Sequence, residues 1–157
     1  MEKSEINGKA FVHYQSWREA YVGLVNQAFL DDRTLEMSQE RTLRAFENGV
    51  STFIAKDGEQ VVGFADYGRY RGDDLIDTGE VYAIYVLKDY YDKGVGYALI
   101  SKAMEAMMEN KEIAVWVREG NARAIHFYER CGFRFDGQKQ VITLGNPISE
   151  LRMILKR

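Results

Sequence analysis

The sequence holds one cysteine, Cys131, so an internal disulfide is excluded. It holds two histidines, His13 and His126, far from each other and, for His13, from Cys131, which is not the ligand spacing of a zinc site. No metal is expected. A single proline, Pro147, leaves no Pro-rich linker. Long apolar runs are absent: Val81–Leu87 is the longest, far short of the roughly 20 residues that span a bilayer. The first residues, MEKSEINGKAFVHY, lack the apolar core of a signal peptide. These absences lead to the expectation of a cytoplasmic protein in a reducing compartment, with no membrane partner. The formal net charge is −3, so the chain lacks the overall positive charge that nucleic acid would call for. Any polyanionic ligand must then be held by backbone amides and a few local cations.

What is present is an ordinary globular composition over 157 residues, 46% hydrophobic and 29% charged. A chain of this length buries roughly 70% of its unfolded surface, and a single domain over 1–157 is expected. Lys9–Tyr14 has the composition of a short strand. Ser16-Trp17-Arg18-Glu19 has the form of a capping box, followed by a helix over Trp17–Leu30. A second helix is expected over Ser38–Glu47, ending at Asn48-Gly49. Val50–Ala55 and Gln60–Tyr67 are strand-like and flank Asp57-Gly58, a hairpin turn signal. Gly79–Leu87 is nearly all apolar, as for a central strand covered on both faces. Val95–Glu109 and Asn121–Arg130 follow as helices, Glu112–Val117 as a buried strand, and Phe133–Leu144 and Glu150–Leu155 as closing strands. The predicted arrangement is α+β (α/β), a mixed central sheet of about seven strands flanked by about four helices.

Lys88-Asp89-Tyr90-Tyr91-Asp92-Lys93-Gly94-Val95-Gly96-Tyr97 joins the central strand to the long helix. Glycines at a helix start let backbone approach a ligand, and the first amides of a helix have no intrahelical acceptor. Such a segment suits a diphosphate, with Lys93 as an added cation. Gly-x-Gly alone is equally met by a plain strand–turn–helix. A second block, Val117-Arg118-Glu119-Gly120-Asn121-Ala122-Arg123-Ala124-Ile125-His126-Phe127-Tyr128-Glu129-Arg130-Cys131-Gly132-Phe133, places Asn121, Ala124 and Tyr128 on one helical stripe.

The two blocks, in this order and about 20 residues apart, resemble motifs A and B of the GCN5-related N-acetyltransferases, the GNAT family. The first reads Gln/Arg-x-x-Gly-x-Gly/Ala in that family, and Tyr91 stands here where Gln or Arg is usual. The second, Asn-x-x-Ala-x-x-Phe-Tyr-x-x-x-Gly-Phe, is complete. The resemblance implies the GNAT acyl-CoA N-acyltransferase fold, with acetyl-CoA as co-substrate and a primary amine of a small molecule or peptide as acceptor, attacked directly. It implies that backbone groups of Ile84, Tyr85 and Val86 pair with the pantetheine arm and that amides from Tyr91 and Asp92 through Lys93, Gly94, Val95, Gly96 and Tyr97 meet the diphosphate. It implies too that Asn121 bonds the arm beside Ala124, and that Tyr128 protonates the leaving thiolate. A homodimer is common among proteins it resembles.

The resemblance implies that Glu80, at the strand start where many members carry a carboxylate, takes the amine proton through water; as a bare residue it is equally a strand-end carboxylate paired with Arg or Lys. Strand alternation predicts Glu80, Tyr82, Ile84 and Val86 on one face. His126, two residues from Tyr128, falls on the opposite side of its helix, and Cys131 is expected to be packing. Candidates for the acceptor site are Trp17, Tyr21, Asp31 and Tyr82, with Asp32, Tyr67 and Tyr70 as further members; aromatics with carboxylates suit an amine cation, while Asp31-Asp32 is equally a helix-end turn. Two other classes remain in view: a non-catalytic acyl-CoA sensor on the same fold, and a nucleotide-binding module, for which both Gly-x-x-x-x-Gly-Lys-Ser/Thr and a full Gly-x-Gly-x-x-Gly are missing.

Overall fold

In the computed structural model, which describes residues 1–157, the chain opens with helices rather than a strand. They are α1 (Ile6–Ala20), α2 (Gln27–Asp31) and α3 (Leu35–Glu47). The expected strand over Lys9–Tyr14 lies inside α1. Its buried residues are Ile6, Lys9, Ala10, Val12, His13, Ser16 and Trp17, spaced for a helix. Three of those seven are polar, which hid the helical period. They are buried because each has a partner. Lys9 Nζ pairs with Asp66 at 2.6 Å, His13 Nδ1 lies 3.3 Å from Ser38 Oγ, and Ser16 Oγ donates to the Val86 carbonyl at 3.4 Å. Ser16 is therefore an interior helix residue and not a cap. The single helix expected over Trp17–Leu30 breaks at Tyr21, passes Gly23 at φ +75° and restarts as α2, capped by Asn26. α3 starts at Leu35, three residues before the expected Ser38, and is capped by Thr34.

The rest follows the sequence pattern closely. Strands β1 (Ser51–Asp57) and β2 (Gln60–Arg69) turn at Gly58, and β3 (Thr78–Val86), α4 (Val95–Ala106), β4 (Glu112–Arg118), α5 (Ala122–Arg130), β5 (Arg134–Leu144) and β6 (Asn146–Lys156) complete the chain. Six strands, not about seven, form one mixed sheet of order β1-β2-β3-β4-β6-β5, with five helices, not about four. Only β3 and β4 run parallel, as a strand–helix–strand crossover through α4 requires. The main core lies between the sheet and helices α4 and α5, built on Val81, Ile100, Ala103, Ile113, Val115 and Phe133. On the other face α1 covers β2 and β3 through Val12, Phe64 and Leu87.

Two irregularities shape the centre. Asp66 pairs with Ala83 and Tyr67 with Val81, so Tyr82 is an extra residue, a bulge in β3. At the same level β3 and β4 part. Their pairing covers only Thr78–Val81 against Glu112–Val115, while β4 runs on to Arg118 beside β6. The bulge also corrects the predicted face. Val81 belongs to the α4–α5 core, but Ala83 and Tyr85 pack toward α1. Val86 touches the α4 side, where its Cγ2 nears Gly96. Glu80 therefore shares a side with Ala83 and Tyr85, not with Ile84 and Val86.

Candidate active site

The parted strands open a cavity of about 1170 Å³, bounded by Tyr82–Val86 on β3 and Val115–Arg118 on β4. One end reaches the β3–α4 loop and α5; the other runs under α1, α3 and the β5–β6 hairpin. That hairpin turns at Gly145, φ +73°, where an added Cβ would sit 2.7 Å from Phe29 of α2. The chain thus turns at Gly145 alone, with Asn146 and Pro147 already paired in β6 and the adjacent Leu144 on the cavity wall.

At the loop end, Gly94 caps α4 at φ +80°, a conformation glycine adopts without strain. The first bond within this helix is from Ala98 N–H to the Gly94 carbonyl at 2.9 Å. The amides of Val95, Gly96 and Tyr97 precede it and have no intrahelical acceptor. Tyr91, Asp92, Gly94, Gly96 and Tyr97 all border the cavity. Lys93 does not; its Nζ sits over the Tyr90 ring at 5.1 Å. Arg123 and Arg130 of α5 are the cations on this wall, and Arg123 is stacked on Tyr91 with its guanidinium carbon 3.4 Å from the ring centroid. Where motif A usually carries its own Gln or Arg, a tyrosine here positions an arginine from α5.

In the middle, Asn121, Ala124 and Tyr128 line the cavity together. Asn121 Oδ1 caps α5 by accepting from Ala124 N–H at 3.1 Å, which leaves its amide NH₂ to donate elsewhere. Tyr128 is 6% exposed, edge-on to Phe127 and Phe133 at 5.3 and 5.7 Å. Burial, then the neighbouring Tyr21, holds its hydroxyl far above the ordinary phenol range, so it stays protonated across the whole working pH range. On β3, Leu87 N–H donates to the Val62 carbonyl. Antiparallel pairing alternates, which puts Tyr85 in phase with Leu87 and turns the backbone of Ile84 and Val86 toward the gap. Tyr85 contributes its ring and hydroxyl, not its backbone.

At the far end, Trp17 and Tyr21 stack at 4.5 Å and Tyr21 Oη is 3.4 Å from Tyr85 Oη. Tyr82, Tyr70 and Glu80 are also on the wall. Glu80 is 1% exposed and accepts three bonds from Arg71: from its N–H at 2.9 Å, Nε at 3.1 Å and Nη2 at 2.5 Å. Arg71 also stacks on Tyr82 at 4.6 Å. Pairing with an arginine is thus the observed state of Glu80. Asp31 and Asp32 stay outside; Asp31 accepts from Gln27 at 2.8 Å at the end of α2. Tyr67 stacks on Phe53 away from the cavity. His126 is exposed beside Glu129, and burial raises the pKa of the Cys131 thiol. What the sequence did not suggest is the number of arginines here: Arg33, Arg41, Arg71 and Arg118 all border this end. Alternation along β4, with Ile113, Val115 and Val117 in the core, was the available signal that Arg118 faces the other way.

A slot between diverging parallel strands, free helix amides at one end and a protonated tyrosine at its middle define an acyl-transferring enzyme that uses a coenzyme A thioester. The family model described as "Acetyltransferase (GNAT) family" matches residues 13–133, and the chain belongs to that family. It is similar to the uncharacterized N-acetyltransferase YuaI of Bacillus subtilis, 32% identical over 98% of this chain and 94% of that protein. It is also similar to the L-methionine sulfoximine/L-methionine sulfone acetyltransferase of Pseudomonas aeruginosa, 29% identical over 78% of this chain and 66% of that protein. Among solved structures, the PaiA N-acetyltransferase of Thermoplasma acidophilum in complex with coenzyme A superposes with a TM-score of 0.77 over 100% of this chain and 96% of that one, at 18% identity. The chain is an acetyl-CoA-dependent acyltransferase, and none of its helices is long and apolar enough to cross a membrane.

Proposed function

We propose that the protein transfers the acetyl group of acetyl-CoA to a primary amine of a small molecule by direct attack, with Tyr128 as the acid that protonates the departing thiolate. The observation that carries this is the Tyr128 hydroxyl, buried, held protonated, bonded to no protein group, and facing the same cavity as Asn121 and the gap-facing backbone of β3. The residues fit the co-substrate. The amides of Val95–Tyr97 with Arg123 suit its diphosphate, and Ile84, Val86 and Asn121 suit the amide-bearing arm. The thioester arrives already activated, so the chain must only place the acceptor, polarise the carbonyl and manage two protons. A gap-facing amide of β3 stabilises negative charge on the carbonyl oxygen, and Tyr128 delivers the proton to sulfur.

The amine must lose a proton, and Glu80, a carboxylate on the acceptor side of the wall next to Tyr82, is the proposed recipient through water. The three Arg71 bonds favour a second reading in which Glu80 anchors Arg71 over Tyr82. Glu80→Gln separates them: loss of the acidic limb in the pH profile of kcat/KM marks a base, and a uniform fall marks an anchor. The main test is acetyl-CoA-dependent thiol release over an amine panel. Tyr128→Phe is expected to slow the chemical step by about 10²–10⁴-fold. Full activity of that variant in a chemistry-limited assay removes Tyr128 from the role, and tight acetyl-CoA binding without turnover on any amine returns the protein to the sensor class.

A further inference from the structure

The acceptor end of the cavity has an unbalanced charge. Its carboxylates are engaged: Glu80 by Arg71, Asp66 by Lys9 and Thr52, and Glu150 by Gln140 at 2.7 Å. Of its arginines only Arg71 has an acid partner. Arg33 lies flat on the Trp17 ring, 4.1 Å from its centroid, with no carboxylate in range, and Arg41 has none either. Arg118 differs most. Its Nε and Nη1 are buried and bonded to nothing, although Glu150 stands opposite it in the β4–β6 ladder. Leaving a buried guanidinium donor unmatched costs roughly the full desolvation penalty of that group, so such an arrangement persists where something else completes it.

The position of Arg118 says what would complete it. Arg118, Tyr21 and Tyr128 border one cavity, and the Arg118 carbonyl accepts from the Asn121 N–H at 3.0 Å, which ties the end of β4 to the start of the helix that carries Tyr128. A small acceptor with its amine near Tyr128 has its other end near Arg118. Nε and Nη1 lie on different edges of the guanidinium, each beside Nη2, so an anionic group that meets either edge is offered two donors.

We propose that the acceptor is a small amine carrying an oxyanion, of the α-amino-acid type, and that Arg118 is the specificity-determining residue that binds that oxyanion. The amine's role in this proposal rests on the acetyl-transfer reading; the anion site itself does not, and can be measured without turnover. Carboxylate, phosphonate and sulfonate share the required chemistry, and the probes distinguish them.

The experiment titrates the CoA-loaded protein calorimetrically with matched pairs. N-acetylglycine, N-acetyl-leucine, N-acetylmethionine and N-acetylphenylalanine are set against the corresponding acetamides without the carboxylate, together with N-acetylaminomethylphosphonate and N-acetyltaurine. For at least one pair the anion is expected to bind on the order of 10–100-fold more tightly than its neutral partner, the range for a charged hydrogen bond. In Arg118→Met that preference falls to within about 2-fold while acetyl-CoA affinity, which reports the intact fold, is unchanged, and Arg118→Lys restores part of it. Equal binding of anionic and neutral partners across the panel overturns the proposal, as does an Arg118→Met defect confined to acetyl-CoA. Arg118-dependent anion binding without thiol release from any free amine would uphold the site and sink the acetyl-transfer reading. Thiol release with uncharged amines only would do the reverse.

Discussion

His13 offers a measurement of the charge inside the cavity wall. It sits on α1, 7% exposed, among Trp17, Phe64 and Tyr85. Burial first, then Arg41, Arg33 and Lys9, depress its pKa to about 3. A folded-state pKa below the unfolded value means the native protein favours neutral imidazole. The resulting stability is fully present above pH ~6.5 and is lost as pH falls toward about 3. Between pH 7 and pH 5 the unfolded chain protonates His13 and the folded chain does not. The difference is about 2 kcal/mol, large for a domain of this size. Urea unfolding at both pH values, on the wild type and on His13→Asn, measures it. Asn keeps a polar atom for Ser38 and does not titrate. Glu5 and Asp74, whose pKa values are lowered by Lys56 and Arg152, contribute equally to both proteins. The wild type is expected to lose about 2 kcal/mol more than the variant. Equal losses would mean that His13 charges freely in the folded state and that the arginine-rich wall around it is wrong.

Other substitutions test separate parts of the site. Arg123→Ala removes the guanidinium stacked on Tyr91 and is expected to weaken acetyl-CoA binding about 10-fold, measured by calorimetry, with no change in unfolding midpoint; an unchanged Kd would remove it from the phosphate end. Arg71→Ala strips two guanidinium bonds from the buried Glu80 carboxylate and is expected to destabilise by roughly 3 kcal/mol in urea. Adding Glu80→Gln to it should recover at least half, and no recovery would show that Arg71 acts through Tyr82 instead. Gly94→Ala places a Cβ in open space but at φ +80°, so backbone strain of about 1 kcal/mol is the whole expected cost; a much larger loss would reveal a contact the cap does not show.

The chain from β1 onward was legible because its signals are local. Asp57-Gly58, Gly94, Asn121 and Gly132 each fix a turn or helix end through their own backbone preferences, and Asn121, Ala124 and Tyr128 share a stripe by helical arithmetic alone. The first twenty residues were not legible, because α1 buries Lys9, His13 and Ser16, and their partners Asp66, Ser38 and Val86 lie 57, 25 and 70 residues away. No window of sequence contains both halves of such a pair. The acceptor end was misjudged for the same reason. Asp31 looked like a cation-binding group from composition, but α2 turns it outward, while Arg118 was inconspicuous until β6 paired beside it without supplying a bond.

Tyr82 stands as one residue in excess on β3. Without it the β2–β3 ladder would be regular, and nothing in the hydrogen-bonding rules would stop β3 from zipping to β4 beyond Val81. The enzyme's slot is thus a ladder left unfinished by a single supernumerary amino acid. A chain shortened by that one position would be expected to close its sheet and gain strand pairing. In doing so it would become a sturdier protein with nowhere to put a coenzyme.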